Sequence, residues 1–416
     1  MEKISDTSRQ KRGLFSASVY FRSASGYLGL KLVIFSATGL IGQYLLTHYL
    51  LKKDYGLLIW VSTVVSLLSF FGLPGISTSI TGAVAKGFDG NFRKGTLLEL
   101  AGGTLGGVVL LGFAGYYWFF DYDQIKAVLF LVAGVLGPGL WLDTHLCYWN
   151  GKKNFRAIFM WSIPVRLIQL LLTALVLFFS SNPLWVFVAQ NVIYVIANIG
   201  AALWIMGCKS TNMDISGEYQ SFGVFSTKLY LVGSFVAYLD KLVIGFFFGL
   251  ESLAVFTVGE LLYTYMYKTP GAILAQILHP KLAEMNVNEA ARWIKKKQFY
   301  LIGGMAASVI IIGVAIPFAY PLLFSEKYND SIFYAHLFLL CIMMGTPIFL
   351  KGTLLKAHAL KNETMKAWLI LALSPLILVP VLGWFFGLTG IVLSRGITNG
   401  VVSGYYYFLI NRLAKG

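Results

Sequence analysis

The feature that most constrains this chain is the recurrence, from end to end, of apolar stretches about 20 residues long or longer. A helix of about 20 apolar residues spans the roughly 30 Å hydrocarbon core of a bilayer, and it satisfies its own backbone hydrogen bonds where no water can. The stretches are continuous rather than alternating, which argues against membrane strands. Composition agrees: 57% of the 416 residues are hydrophobic and 12% are charged, with mean hydropathy +0.72. A soluble domain carries about 25% charged residues. A secreted enzyme, a soluble nucleic-acid binder and a disordered chain are excluded, leaving a polytopic integral membrane protein of the all-α class.

Polar breaks divide the sequence into twelve expected spans, at about 20–48, 56–85, 95–119, 124–147, 155–180, 183–207, 222–249, 252–278, 299–324, 332–358, 364–386 and 388–411. Alternate breaks differ sharply in charge. One side carries 20 Lys and Arg, among them Lys86, Arg93, Lys94, Lys152, Lys153, Arg156, Arg292 and Lys295 to Lys297; the other has Lys52, Lys53, Lys126 and Lys327. The net charge of +15 thus orients spans rather than forming a nucleic-acid groove. The positive-inside rule places both termini in the cytoplasm. The start, MEKISDTSRQKRG, is polar and basic, and the first apolar stretch is too long for a signal h-region, so no cleavable signal is expected. Cys147, Cys208 and Cys341 have neither CxxC nor Cys/His spacing and read as structural thiols.

The breaks on the charge-poor side are a few residues each, whereas the longest are basic-side: the polar segment 208–221 at the midpoint, and 281–298, whose lysine run suits an anionic leaflet or a plain solvated connector. The expected organisation is a basic arm at 1–19, an N-lobe at 20–207, the linker 208–221, a C-lobe at 222–411 and a tail at 412–416. KKDYGLLIWVSTVVSLLSFFGLPG and GLESLAVFTVGELLYTYMYKTPG share a texture in which a short turn precedes a long span broken by Pro-Gly (Pro74-Gly75, Pro270-Gly271). This suggests two six-span repeats with a site at their interface.

Charges within spans cost roughly 2.5–3.5 kcal/mol each at mid-bilayer and mark pathways or pairs. Nine are expected there: the cations Lys31, Arg166, Lys241, Lys268, Lys351 and Arg395, and the acids Asp143, Asp240 and Glu260. Surplus positive charge suits an anionic cargo such as a diphosphate, which Arg can fork and Lys can meet as a point charge. Helical spacing groups Ser162, Arg166, Gln169 and Thr173 in one stripe, Tyr27, Lys31 and Thr38 in a second, Asn191, Tyr194 and Asn198 in a third, and Arg395 with Asn399 in a fourth. Such stripes fit a sugar-accommodating wall or interhelical hydrogen bonding. The expected binding set is Lys31, Arg166, Gln169, Lys351, Arg395 and Asn399.

Asp240 and Lys241, adjacent on a helix, point about 100° apart and are not expected to face one wall. Glu260, with Thr264 and Tyr267 on its face, is a candidate for proton or sodium coupling, with Asp240 the second candidate or an ion-pair partner. Asp143 reads as a solvated or paired span-end residue. His145, His336 and His358 lack metal-ligand spacing, so no metal is expected. Lys351 and His358 share a face beyond a kink expected at Pro347. The glycine clusters Gly102-Gly103 and Gly106-Gly107 serve as hinges or as close packing. No Walker loop precedes Gly151-Lys152, so no intrinsic ATPase, no catalytic residue and no cofactor are expected.

YLLTHYLLKKDYGLLIWVSTVVSLLSFFGLPGISTSI resembles the first two spans of the Wzx-type polysaccharide flippases. LDKLVIGFFFGLESLAVFTVGELLYTYMYKTPGAILAQILHPKLAEM resembles their seventh and eighth spans, with Ala254, Phe256 and His279-Pro280 departing from the usual residues. LLFSEKYNDSIFYAHLFLL, LKAHALKNETMKAWL and GLTGIVLSRGIT resemble the ninth to twelfth. The resemblance covers nearly the whole chain. It implies the fold of the multidrug/oligosaccharidyl-lipid/polysaccharide (MOP) exporters, twelve helices in two six-helix lobes around a central cavity, MATE-like. It also implies a secondary transporter carrying an undecaprenyl-diphosphate-linked oligosaccharide, an O-antigen, capsule or exopolysaccharide unit, between leaflets. Membrane lipid and polysaccharide polymerase or chain-length proteins would be its partners, with a proton or sodium gradient as drive. The alternatives are a multidrug or small-cation exporter of the same superfamily and a membrane enzyme of the same pathway. The short charge-poor loops weigh against the enzyme.

Overall fold

A computed structural model describes the chain apart from residues 1–2, 209–211, 269–270, 272–277, 279–281, 283, 359 and 416, and apart from the side chains of 3–25, 229, 268, 346–347, 349, 356, 361 and 415. Among the described residues every regular element is helical. In chain order these are α1 (Lys3–Tyr49), α2 (Lys52–Leu67), α3 (Pro74–Ala85), α4 (Gly90–Phe119), α5 (Gln124–Leu140), α6 (Thr144–Gly151), α7 (Phe155–Phe179), α8 (Pro183–Gly207), α9 (Gly217–Phe247), α10 (Leu250–Tyr263), α11 (Val287–Phe324), α12 (Asp330–Ala357) and α13 (Lys361–Lys415). The ends follow local chemistry. Asp123 accepts from the Lys126 N–H at 3.0 Å, Asn154 from Ala157 at 3.0 Å, and Asn182 from Leu184 at 2.9 Å beside Pro183. Asn286 and Glu289 form a capping box that starts α11 inside the expected basic connector, so the lysine run belongs to that helix.

Among the described residues nine helical stretches are long and apolar enough to cross a membrane. The expected twelve differ mainly at breaks and mergers. The second span is split into α2, a 3₁₀ turn at Leu68–Gly72 and α3, with Leu73 at φ 51 before Pro74. The fourth is split into α5 and α6 at residues 141–143. The last two run together as α13, whose 55 residues would extend about 80 Å if straight, far beyond one crossing. Gly387, at φ 60 and ψ −143, divides it where the sequence placed a break. Pro270 and His279-Pro280 lie outside the described residues, as do the side chains of Lys268 and Pro347; the backbone of α12 is helical throughout. Large apolar side chains are widely exposed, including Phe120, Phe178, Phe179, Phe247 and Trp384 at helix ends beside charge-poor breaks. That placement is an aromatic membrane-interface belt.

The chain divides into two compact units. The first comprises residues 1–49 and 68–231, and the second 50–67 and 232–416. The second span is therefore shared, with α2 grouped in the second unit and α3 in the first. In the first unit α4 and α5 meet backbone to backbone. A Cβ at Gly103 would stand 2.7 Å from the Gly137 carbonyl oxygen, and one at Gly107 would stand 2.5 Å from that of Gly134. Here the glycine cluster is a packing seam. Gly75 has the same office against α9: its N–H donates to Thr227 Oγ1 at 3.2 Å, and a Cβ would meet the Gly223 carbonyl at 2.2 Å. In the second unit α2 packs on α10 with Gly56 against the Leu250 carbonyl. Lys52 pairs with Asp330 at 3.2 Å. Lys327 donates to the Leu50 carbonyl at 2.5 Å, and burial, with Lys52 nearby, holds its ammonium below the usual lysine range.

Candidate functional site

Each unit gathers its own polar cluster. In the first, a cavity of about 280 Å³ is lined by Lys31 and Phe35 of α1, His145 and Leu146 of α6, Trp161, Ser162, Val165, Arg166 and Gln169 of α7, and Asn191, Tyr194 and Asn198 of α8. Members of three stripes expected from helical spacing thus meet at one cavity, although Tyr27, Thr38 and Thr173 are not in its lining. Among the described residues two cations and no carboxylate line it. Lys31 Nζ lies 5.3 Å, and the Arg166 guanidinium carbon 5.8 Å, from the centroid of the Phe35 ring. Arg166 also donates from Nε to Thr38 Oγ1 at 3.3 Å. The aromatic face attracts both cations and draws them to one place.

The amides are anchored by backbone. Gln169 donates to the Gln190 carbonyl of α8 at 2.7 Å, Asn191 to Phe187 at 2.9 Å and Asn198 to Gly139 at 3.5 Å. Gln169 and Asn198 thus tie helices, Asn191 bonds back within α8, and all three amides line the cavity. Thr173 bonds back to Gln169 within α7. His145 packs edge-on to Trp149, with ring centroids 5.5 Å apart, and meets Trp161 at 6.5 Å. Buried nitrogens of both His145 (Nδ1) and Trp161 (Nε1) carry no hydrogen bond.

The second unit holds a compact ion network. Arg395 of α13 donates to Asp240 of α9 and to Glu260 of α10, and Lys241 reaches Glu260 Oε2 at 3.0 Å. Two acids and two bases sum to zero. The expectation that Asp240 and Lys241 cannot serve one place is corrected. Their Cα–Cβ directions diverge, but the long lysine and arginine chains bring both back to a common cluster. Arg395, expected among the cargo cations, is engaged by two carboxylates; the Tyr263 ring lies 5.2 Å from its guanidinium carbon. Asp240 pairs with Arg395, as an ion-pair partner expected from sequence would. Asn399, one turn on, donates to Tyr263 Oη and to the Cys341 carbonyl, both at 3.2 Å, and so bridges α13, α10 and α12. Lys351 is buried with its ammonium 5.3 Å from the Tyr407 ring centroid, and among the described residues no acid pairs with it.

Asp143, read from sequence as a solvated or paired span-end residue, is paired. It accepts a hydrogen bond from Ser77 at 2.5 Å, and Ser77 also contacts Glu99. Sequence reasoning passed over Glu99, Trp161 and the place of His145. Glu99 was findable, as an acid five residues into an expected span. Trp161 carried no such signal, since one more aromatic in an apolar run looks like lipid-facing surface. Among the described residues no group of three or more His, Cys, Asp or Glu is placed to hold a metal ion.

Two lobes of membrane-length helices with polar interiors define a transporter-like fold, and comparison with solved structures gives its class. An inward-facing multidrug resistance MATE family transporter of the MOP superfamily aligns over 94% of this chain and 99% of its own, with TM-score 0.65 and 15% identity. An outward-facing one aligns over 93% and 96%, with TM-score 0.58 and 16% identity. A mutant of the Vibrio cholerae MATE transporter VcmN aligns over 96% and 97%, with TM-score 0.61 and 11% identity. At these identities the likeness is one of fold. The family comes from sequence: residues 45–350 match the model described as "Polysaccharide biosynthesis protein", and the chain belongs to that family. No curated protein matches the chain in sequence.

Proposed function

We propose that this protein is a secondary transporter that passes a lipid-linked, diphosphate-bearing oligosaccharide from the inner to the outer leaflet of a bacterial inner membrane by alternating access. The observation that carries this reading is the first unit's cavity, which joins Lys31 and Arg166 to an amide and aromatic wall and, among the described residues, has no acid in its lining. Arginine and lysine meet phosphate oxygens; amides and flat rings meet sugar hydroxyls and C–H faces. The lipid tail stays in the bilayer. Family membership supports a polysaccharide cargo. The basic-rich breaks support cytoplasmic termini. A multidrug or small-cation exporter, which the MATE fold also accommodates, would be expected to present acids to its cargo, and here Asp240 and Glu260 are engaged by Arg395 and Lys241.

The test is leaflet access of labelled undecaprenyl-diphosphate oligosaccharide in liposomes carrying the purified chain. Protein-dependent transfer, lost in Arg166→Ala, is the expected result. Efflux of an amphipathic cation with no transfer of any lipid-linked sugar would overturn the proposal.

A further inference from the structure

Behind the cavity wall of the first unit lies a second polar cluster: Ser77 of α3, Glu99 of α4 and Asp143 in the three-residue break between α5 and α6. The Ser77 hydroxyl stands in hydrogen-bond contact with both Glu99 Oε1 and Asp143 Oδ1. A hydroxyl has one hydrogen to give, and an ionised carboxylate has none. One of the two contacts is therefore a hydrogen bond only if its carboxyl supplies the hydrogen. The three oxygens hold two hydrogens, one from serine and one from the acid pair.

A second observation points the same way. Glu99 is 1% exposed; among the described residues its Oε2 has no hydrogen-bond partner, while the backbone N–H groups of Asp143 and Thr144 lie beside the carboxyl. A buried carboxylate with a bare oxygen and no cation beside it is strongly disfavoured in its charged form, whereas the acid is not. Among the described residues neither Glu99 nor Asp143 has a Lys or Arg partner, in contrast to Asp240 and Glu260, which share Arg395. The titratable groups around the pair are Cys147 and His145 on α6 and Tyr194 on α8, with Lys31 of α1 acting on His145.

We infer that Glu99, Ser77 and Asp143 form a binding site for one exchangeable proton, and that its loading and release couple transport to a proton gradient. The coupling part rests on the transport reading above. The link to the cavity is short. Asp143 leads directly into α6, where Thr144 Oγ1 is bonded to Thr96 of α4 at 2.9 Å and where His145 and Leu146 line the cavity. Loss of the proton would leave two negative carboxylates about one hydroxyl. Their repulsion would push the start of α6 from α4 and carry the His145 wall with it. Glu260 and Asp240, the acids that sequence pointed to for coupling, are engaged by Lys241 and Arg395.

The experiment uses the full chain in liposomes, with infrared detection of protonated carboxyl groups and leaflet transfer measured under a proton gradient, a sodium gradient or none. A protonated-carboxyl band is expected in the unmodified protein and lost in Glu99→Gln and in Asp143→Asn. A proton gradient should accelerate transfer several-fold in the unmodified protein and not in either variant, while gradient-free transfer persists. A band that survives both substitutions, or an unchanged proton response in both, would overturn the inference; so would acceleration by sodium alone. If the unmodified protein moves no lipid-linked sugar, the transport reading fails, and the infrared band still decides the proton site. Should Glu99→Gln not insert, Asp143→Asn carries both readouts.

Discussion

Arg166 and Arg395 are alike in sequence, each an arginine in an apolar span, yet their surroundings differ. Arg166 stands in a cavity beside Lys31 and an aromatic ring, whereas Arg395 is clasped by two acids. Truncating them should therefore fail in different ways. Arg166→Ala is expected to reduce leaflet transfer at least tenfold while membrane abundance and thermal unfolding stay near normal. Arg395→Ala leaves Asp240 buried without its base. Breaking such a pair costs about 3–5 kcal/mol, so the loss should appear first as reduced folded yield and a lowered unfolding midpoint in detergent. Arg395→Lys should recover part of that midpoint if charge is what matters. An Arg395→Ala protein of normal stability that fails only in transport would return this residue to the cargo set. The sequence showed which residues were charged within spans; it could not show pairing, because Asp240, Glu260 and Arg395 come from α9, α10 and α13, far apart in the chain.

At the scale of the element, glycine content was legible and its use was not. Gly103 and Gly107 face Gly134 and Gly137 across the α4–α5 seam with no room for a methyl group. Gly107→Val is expected to force the helices apart and destabilise the first unit by about 1–3 kcal/mol, read as a lower unfolding midpoint and lower yield. Gly112→Ala, on the same helix but in open space, should leave both unchanged. The breaks at Leu73 and at residues 141–143 were legible only in part. Pro74 announced the first, but nothing comparable marks 141–143. There α5 stops at Trp141, whose ring fills the space against Gly72 and Gly106. That break puts Asp143 beside Ser77, so a structural irregularity invisible to hydropathy builds the acid pair.

At the scale of the whole molecule, the class was legible because membrane helices must be apolar over a fixed length, and because charge bias records orientation. The orientation has a direct check. In a background lacking Cys147, Cys208 and Cys341, a Lys53→Cys protein should react with an impermeant thiol reagent added outside intact cells, and a Lys153→Cys protein only after the membrane is opened. The reverse pattern would invert the assigned topology. The contact division, with α2 in the second unit and α3 in the first, follows from packing surfaces that hydropathy does not see.

Length, hydropathy and charge placement are properties of consecutive residues, and by themselves they determined that this chain is a multi-pass helical membrane protein, along with its approximate breaks and the stripes on its helices. Which charges meet was decided by tertiary structure alone. The partition of a charge between pairing and display depends on atoms a few ångströms away in space and far away in sequence, 155 residues between Asp240 and Arg395 and 278 between Lys52 and Asp330. The same dependence leaves Lys31 and Arg166 facing a cavity and places Glu99 with Asp143 on a single hydroxyl.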